Sequence, residues 1–146
     1  PGRVLPLAPI SVGAADIREF AAAFDPQPVH LDEIAARNTL LGGLSASGWH
    51  VSSLVMRMIC DGFLLETASM GSPGIEDVRW LAPVRPDDRL TGTGRVIEAR
   101  LSRRRPSMGI AIIEYDVYRE TETPVFFARC THLLRTRMAK PTGHAS

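Results

Sequence analysis

A carboxylate and an imidazole stand five residues apart in Asp25-Pro26-Gln27-Pro28-Val29-His30. Such a pair can share the proton transfers of a general acid/base reaction if the backbone fixes their relation, because geometry comes before pKa. The two prolines supply that stiffness. Each lacks an N–H and fixes its own φ, and each pushes the residue before it, Asp25 or Gln27, towards extended backbone. The segment is therefore predicted to be a stiff turn, not a regular helix. The competing reading is a proline-rich helix terminator with His30 merely close to the next helix start.

Gly48 is the second candidate. It opens a long apolar stretch whose pattern predicts a helix over 47–66, with Ser47 as N-cap. The first turn of a helix has free backbone N–H groups and the positive end of the helix dipole, so it can hold a developing oxyanion. A glycine there lets a carbonyl approach closely. Equally, Gly48 can serve tight packing alone.

The elements that must position these groups follow from periodicity. Ile17, Phe20, Ala21 and Phe24 recur at helical spacing and predict a helix over 14–24 with Gly13 as N-cap. Asp25-Pro26 ends it, and Asp32 caps a short helix over 32–37. In the 47–66 stretch His50, Ser53, Arg57 and Asp61 form one narrow polar stripe, and nearly all else is apolar, so this helix is predicted to be buried around most of its circumference. His50 is read as a capping or surface group. After residue 74 the period changes to two, predicting strands over 75–81, 89–102, 109–119 and 125–135. Gly92 and Gly94 predict a bulge or a close backbone approach. Residues 1–9, with three prolines, predict an irregular or edge-strand entry, and 138–146 a frayed tail. Helices first and a meander of long strands afterwards define an α+β fold, an antiparallel sheet wrapped around one long helix. One wrapped layer leaves a strand edge and apolar surface open, which predicts a homodimer or higher homo-oligomer.

The 146 residues suit one domain spanning 1–146. A net charge of +1 gives no reason to expect a nucleic-acid partner. Arg103-Arg104-Arg105 reads as a solvated hairpin loop, with a phosphate contact as the alternative. The charged residues in the 47–66 helix exclude a membrane span. Cys60 and Cys130 form no C-x-x-C pair and fit buried free thiols in a reducing compartment. No signal-peptide pattern is visible, so a cytoplasmic location is expected. No set of histidines has metal-ligand spacing, and no cofactor motif is present: Thr91-Gly92-Thr93-Gly94 is not followed by a helix. His132 reads as a satisfied core or interface group.

Phe24-Asp25-Pro26-Gln27-Pro28-Val29-His30, followed by Asp32 and Ala35-Ala36, resembles the hydratase motif of the MaoC-like dehydratases, which include the R-specific enoyl-CoA hydratases. Ala46-Ser47-Gly48-Trp49-His50 and the run from Val78 to Asp87 extend the resemblance, which covers roughly residues 13–135. The family pattern is Asp-x-Asn-Pro-x-His; this chain has Gln27 where the pattern has Asn. The resemblance implies a hot-dog fold, acyl-CoA substrates, no cofactor, and reversible addition of water to a 2-enoyl thioester. Asp25 and His30 match the catalytic pair, and Gly48 matches the glycine whose N–H binds the thioester oxygen. Gln27, Val29, Ser47 and Trp49 flank these groups and are expected to contact substrate. Two other readings stay open: a hot-dog thioesterase, which would call for an acid on the central helix or in a different loop, and a non-catalytic acyl-binding or partner subunit.

Overall fold

Three long strands organise the molecule, β5 (Arg89–Leu101), β6 (Met108–Arg119) and β7 (Thr123–Arg135). They pair as an antiparallel meander, and the alternation seen in the sequence becomes a strict in–out pattern: Ala111, Ile113, Tyr115 and Val117 of β6 are buried, with partly exposed residues between them. In this computed structural model, which describes residues 1–120 and 122–137, the sheet has seven strands. β1 (Val4–Pro6) and β2 (Ile10–Ser11) add to the outer side of β5, so the proline-rich entry is an edge, as expected. On the other side β3 (Ser69–Gly71) and β4 (Ile75–Trp80) both pair with β7. β3 escaped the sequence reading because three residues carry no period. The tail expected over 138–146 lies outside the described residues.

Among the described residues four helices accompany the sheet: α1 (Ala14–Phe24), α2 (Pro28–Leu31), α3 (Glu33–Arg37) and α4 (Gly48–Gly62). α1 docks through Ile17 and Ala21, both fully buried. α4 lies on the sheet through Val51, Val55, Met58 and Ile59, which join Leu90, Tyr115, Val117, Val125 and Phe126 in one core. This is the α+β hot-dog arrangement, a sheet curled about one long helix.

Several expectations need correction. α4 is shorter than 47–66. It stops at Gly62, where a Cβ would meet Pro6 O at 2.4 Å, because the chain leaving β1 crosses there; a 3-10 turn over Leu64–Glu66 follows. Nor is α4 buried around most of its circumference. Trp49 is 64% exposed and Met56 43%, and with Arg57 and Asp61 they leave one side of the helix open in the single chain. His50 is not a surface group: it is buried and stacks on Phe20 with 4.6 Å between ring centroids. The register shift in β5 falls between Val96 and Glu98, not at its glycines. Gly92 and Gly94 mark close approach instead, to Asp116 O and to the Tyr115 ring. Among the described residues no helix is long and apolar enough to cross a membrane.

Candidate active site

Asp25 is the residue at which α1 ends, with φ −149° and its N–H on Ala21 O. Gln27 takes the extended backbone expected of it, φ −76° and ψ 140°, but the turn predicted to be non-helical closes as one turn of helix. Pro28 takes the first position of α2, where its missing N–H breaks no helical bond, and His30 rides on that single helical turn. Asp32 then caps α3 as expected, its carboxylate accepting from Ile34 N and Ala35 N.

The turn brings the imidazole back to the carboxylate: His30 Nε2 lies 3.4 Å from Asp25 Oδ2. Both side chains are largely enclosed, His30 the more so. His30 Nδ1 is 2.8 Å from Ser45 O. A carbonyl oxygen can only accept, so Nδ1 carries a proton and Nε2 is the nitrogen left for chemistry. The carboxylate is held at both oxygens. Ser47 Oγ donates to Oδ2 at 2.6 Å and Gln27 Nε2 donates to Oδ1 at 2.7 Å. These donors, Ser47 foremost and then Gln27, keep the Asp25 pKa below its ordinary value. Asp25 is thus ionised at neutral pH. A water between Oδ2 and Nε2 can donate one hydrogen to each.

Ser47 does occupy the N-cap position of α4, but its hydroxyl caps nothing. It is fully buried and engaged with Asp25, so it is not free for a bound ligand. As a result the N–H groups of Gly48, Trp49 and His50 meet no acceptor among the described residues. A cavity of about 240 Å³ is lined by His30, Ser45, Gly48, Val51, Trp80 and Val125, among others, so the candidate imidazole and the candidate amide donor share one space. Asp25, on the Nε2 side of His30, is not among its lining residues. Of the remaining sequence candidates, Val29 is half-buried on α2 and Trp49 projects outward beside Trp80, 5.3 Å between centroids. A larger, open recess of about 510 Å³ along α1 carries His50, but neither dyad residue. Among the described residues no group of three or more His, Cys, Asp or Glu could hold a metal ion.

Two features were not foreseen. The Ser45 carbonyl sets the His30 tautomer, a backbone role that no residue type announces. Trp80 lies flat on Gly48: a Cβ at position 48 would stand 2.5 Å from Trp80 Cδ2. Its Nε1 donates to Ser52 Oγ at 3.2 Å. Close packing and amide exposure thus both bear on Gly48.

The hydrogen bond from Ser47 gives a pH prediction. Asp25 has a depressed folded pKa, so its contribution to stability is present above the ordinary carboxylate value and is lost as pH falls through the folded value. Ser47→Ala removes the largest cause. The acid limb of any activity that needs the Asp25 carboxylate then moves to higher pH, and the acid unfolding midpoint moves the same way. A pH–rate profile and a pH titration of circular dichroism read both; unmoved limbs would show that the hydroxyl does not control this carboxylate.

Sequence and structure comparisons place this fold among known proteins. A family model described as MaoC like domain matches residues 1–116, and the chain belongs to the MaoC-like dehydratase family. A MaoC-like dehydratase from Rhodospirillum rubrum has a similar crystal structure, 35% identical, with TM-score 0.88 over 94% of each chain. A monoamine oxidase regulatory protein from Archaeoglobus fulgius aligns at TM-score 0.81 and 27% identity, over 93% of this chain and 90% of that one. The uncharacterized protein YdeM of Bacillus subtilis is 28% identical over 135 residues, 92% of this chain and 94% of its own length.

Proposed function

We propose that this chain is a hydratase/dehydratase that reversibly adds water to a 2-enoyl-CoA to give a 3-hydroxyacyl-CoA. The observation that carries the reading is the ionised Asp25 carboxylate facing His30 Nε2, with the unpaired Gly48 N–H on the same cavity as His30. In the hydration direction a water between Asp25 and His30 gives a proton to the dyad as its oxygen bonds to C3. The Gly48 N–H stabilises the charge that gathers on the thioester oxygen. The dyad returns a proton to C2 on the same face, so the addition is syn and the dyad ends as it began. The family supports a dehydratase; the enoyl-CoA substrate is what the resemblance of the Asp25–His30 motif to the R-specific enoyl-CoA hydratases implies. An apolar cavity of about 300 Å³, lined by Trp49, Val55, Met56, Ile59, Val78 and Phe126 among others, has the character to take an acyl tail.

The thioesterase reading finds little support. The acid on α4, Asp61, is at the far end from Gly48 and is ion-paired with Arg57 at 2.7 Å. Loss of enoyl absorbance with crotonyl-CoA, without release of free thiol, is the expected result. Thiol release without enoyl loss would overturn the assignment.

The chain acts as one cytoplasmic domain and as a homodimer. Among the described residues β4 pairs only with β7, and Ile75, Trp80 and neighbouring Leu81 are 58%, 46% and 50% exposed. With Trp49 and Met56 on the open side of α4 they form an apolar face that a second copy can cover. Sedimentation at micromolar concentration should give twice the 16.0 kDa chain mass; a monomer alone would remove the homodimer.

A further inference from the structure

Two buried side-chain atoms among the described residues have no hydrogen-bond partner, His50 Nδ1 and Ser45 Oγ. His50 lines the recess along α1, whereas Ser45 lines the same cavity as His30 and Gly48. Ser45 is 1% exposed. Its carbonyl is committed to His30 Nδ1 at 2.8 Å. The backbone thus anchors the residue beside the imidazole, and the hydroxyl is left over.

A hydroxyl that has lost water and gained no partner is costly to keep. Its neighbours give no relief. Ser47, two residues on, bonds Asp25. Of the other side chains on the cavity, His30 has Nδ1 on the Ser45 carbonyl and Nε2 towards Asp25, and Trp80 gives its Nε1–H to Ser52 Oγ at 3.2 Å. Leu41, Val51, Leu81, Val84 and Val125 offer no polar side-chain atom. Beside the Gly48 N–H, the Ser45 hydroxyl is therefore the one side-chain donor on this cavity left uncommitted among the described residues. Both stand in the four-residue run Ser45–Gly48 that leads into α4, at the positive end of its dipole. An oxygen that takes on negative charge has lone pairs for more than one donor, and oxyanion holes combine backbone N–H groups with side-chain hydroxyls.

Resting on the hydratase reading, we infer that Ser45 is a catalytic residue: its hydroxyl, turning about the Cα–Cβ bond into the cavity, donates a second hydrogen bond to the thioester oxygen held by the Gly48 N–H. The turn is a step between staggered wells. The enolate oxygen is a stronger acceptor than the resting carbonyl, because a hydrogen bond to a charged partner is the stronger kind. The bond therefore counts most in the transition state, and its loss is read in kcat more than in KM. The hydroxyl keeps its proton throughout, since the dyad carries the protons that move.

Ser45→Ala tests this cleanly, because it removes Oγ and leaves the carbonyl that orients His30. Two results are expected together. The kcat for crotonyl-CoA falls by about 10²-fold, the lower end of what one oxyanion donor supplies, with little change in KM and unmoved pH limbs. The melting temperature stays level or rises, because alanine discards a buried hydroxyl that the free chain leaves unpaired. Ser45→Cys, close in size and only a weak donor, should fall between serine and alanine in kcat. An unchanged kcat in the folded alanine variant overturns the inference. So does a kcat loss that comes with a lower melting temperature and shifted pH limbs, which would make the hydroxyl a support for His30. Calorimetry with butyryl-CoA and S-butyl-CoA, which differ by the carbonyl, separates this inference from the reaction it rests on. The wild type should prefer the thioester, and Ser45→Ala should narrow that preference several-fold. Such narrowing without hydration of any enoyl-CoA would sink the hydratase and keep the Ser45 contact; hydration of crotonyl-CoA with kcat and preference the same in both chains would do the reverse.

Discussion

Asp25→Asn should lower the hydration of crotonyl-CoA by about 10²–10⁴-fold, the usual contribution of one general acid/base group. The amide keeps the shape, but it cannot take a proton from water. His30→Ala should cost as much, since Nε2 is the nitrogen that the Ser45 carbonyl leaves free. The two losses should not multiply. With Nε2 and Oδ2 only 3.4 Å apart, one water serves both, and groups that act as a unit are strongly non-additive. The double variant should be scarcely slower than the slower single one. Enoyl absorbance follows the reaction, and circular dichroism checks the fold. A wild-type rate for Asp25→Asn would remove that residue from the mechanism, and cleanly multiplicative losses would put the two residues in separate steps.

Gly48→Pro should cost about 10²–10³-fold in kcat, the effect of losing one oxyanion donor. Proline suits the first helical position and lacks the N–H. Trp80 complicates the experiment, because any Cβ at position 48 comes within 2.5 Å of its indole. Gly48→Ala is therefore the necessary partner: it displaces Trp80 equally and keeps the donor. The expected order is a modest loss for alanine and a far larger one for proline. In a Trp80→Ala background, where the space is open, alanine should cost almost nothing while proline keeps its penalty. If alanine and proline lose equally, Gly48 serves packing and the donor lies elsewhere.

The long strands were legible because they cross the interior and must alternate along their whole length, as Ala111 to Val117 do. The antiparallel sheet around a helix followed from them. What failed did so for local physical reasons. The stop at Gly62 depends on a crossing by residues 6–8, which lie over fifty positions away in the chain. The polar stripe on α4 misled at His50 because Phe20, on another helix, supplies a stacking face. At the site, Asp25 and His30 were readable as chemistry from residue type and spacing. Their surroundings were only partly so. Ser47 looked like a cap, since serine before a helix normally is one; its diversion to Asp25, 22 residues back, is a tertiary bond with no local signature. Gln27 was noticed as a departure from Asn, but only the fold shows its amide reaching back to Asp25 Oδ1.

The dyad sits on the least self-sufficient part of the molecule. Between Asp25 and Ser47 the backbone has only α2 and α3, of four and five residues. Helices that short do not persist alone. They are tied down by the bonds from His30 to Ser45 and from Ser47 to Asp25, by Arg85 donating to Leu41 O, and by Leu44 N–H on Glu33. The sheet and α4 have a continuous core that this segment borders more than it builds. The free energy needed to open 25–47 is therefore smaller than that needed to unfold the whole. The bonds that align the reacting groups are also the ones that hold the segment shut. On the proposed reading, catalytic competence and local closure are one equilibrium, and on warming the hydration of crotonyl-CoA should be lost before most of the far-UV circular dichroism changes.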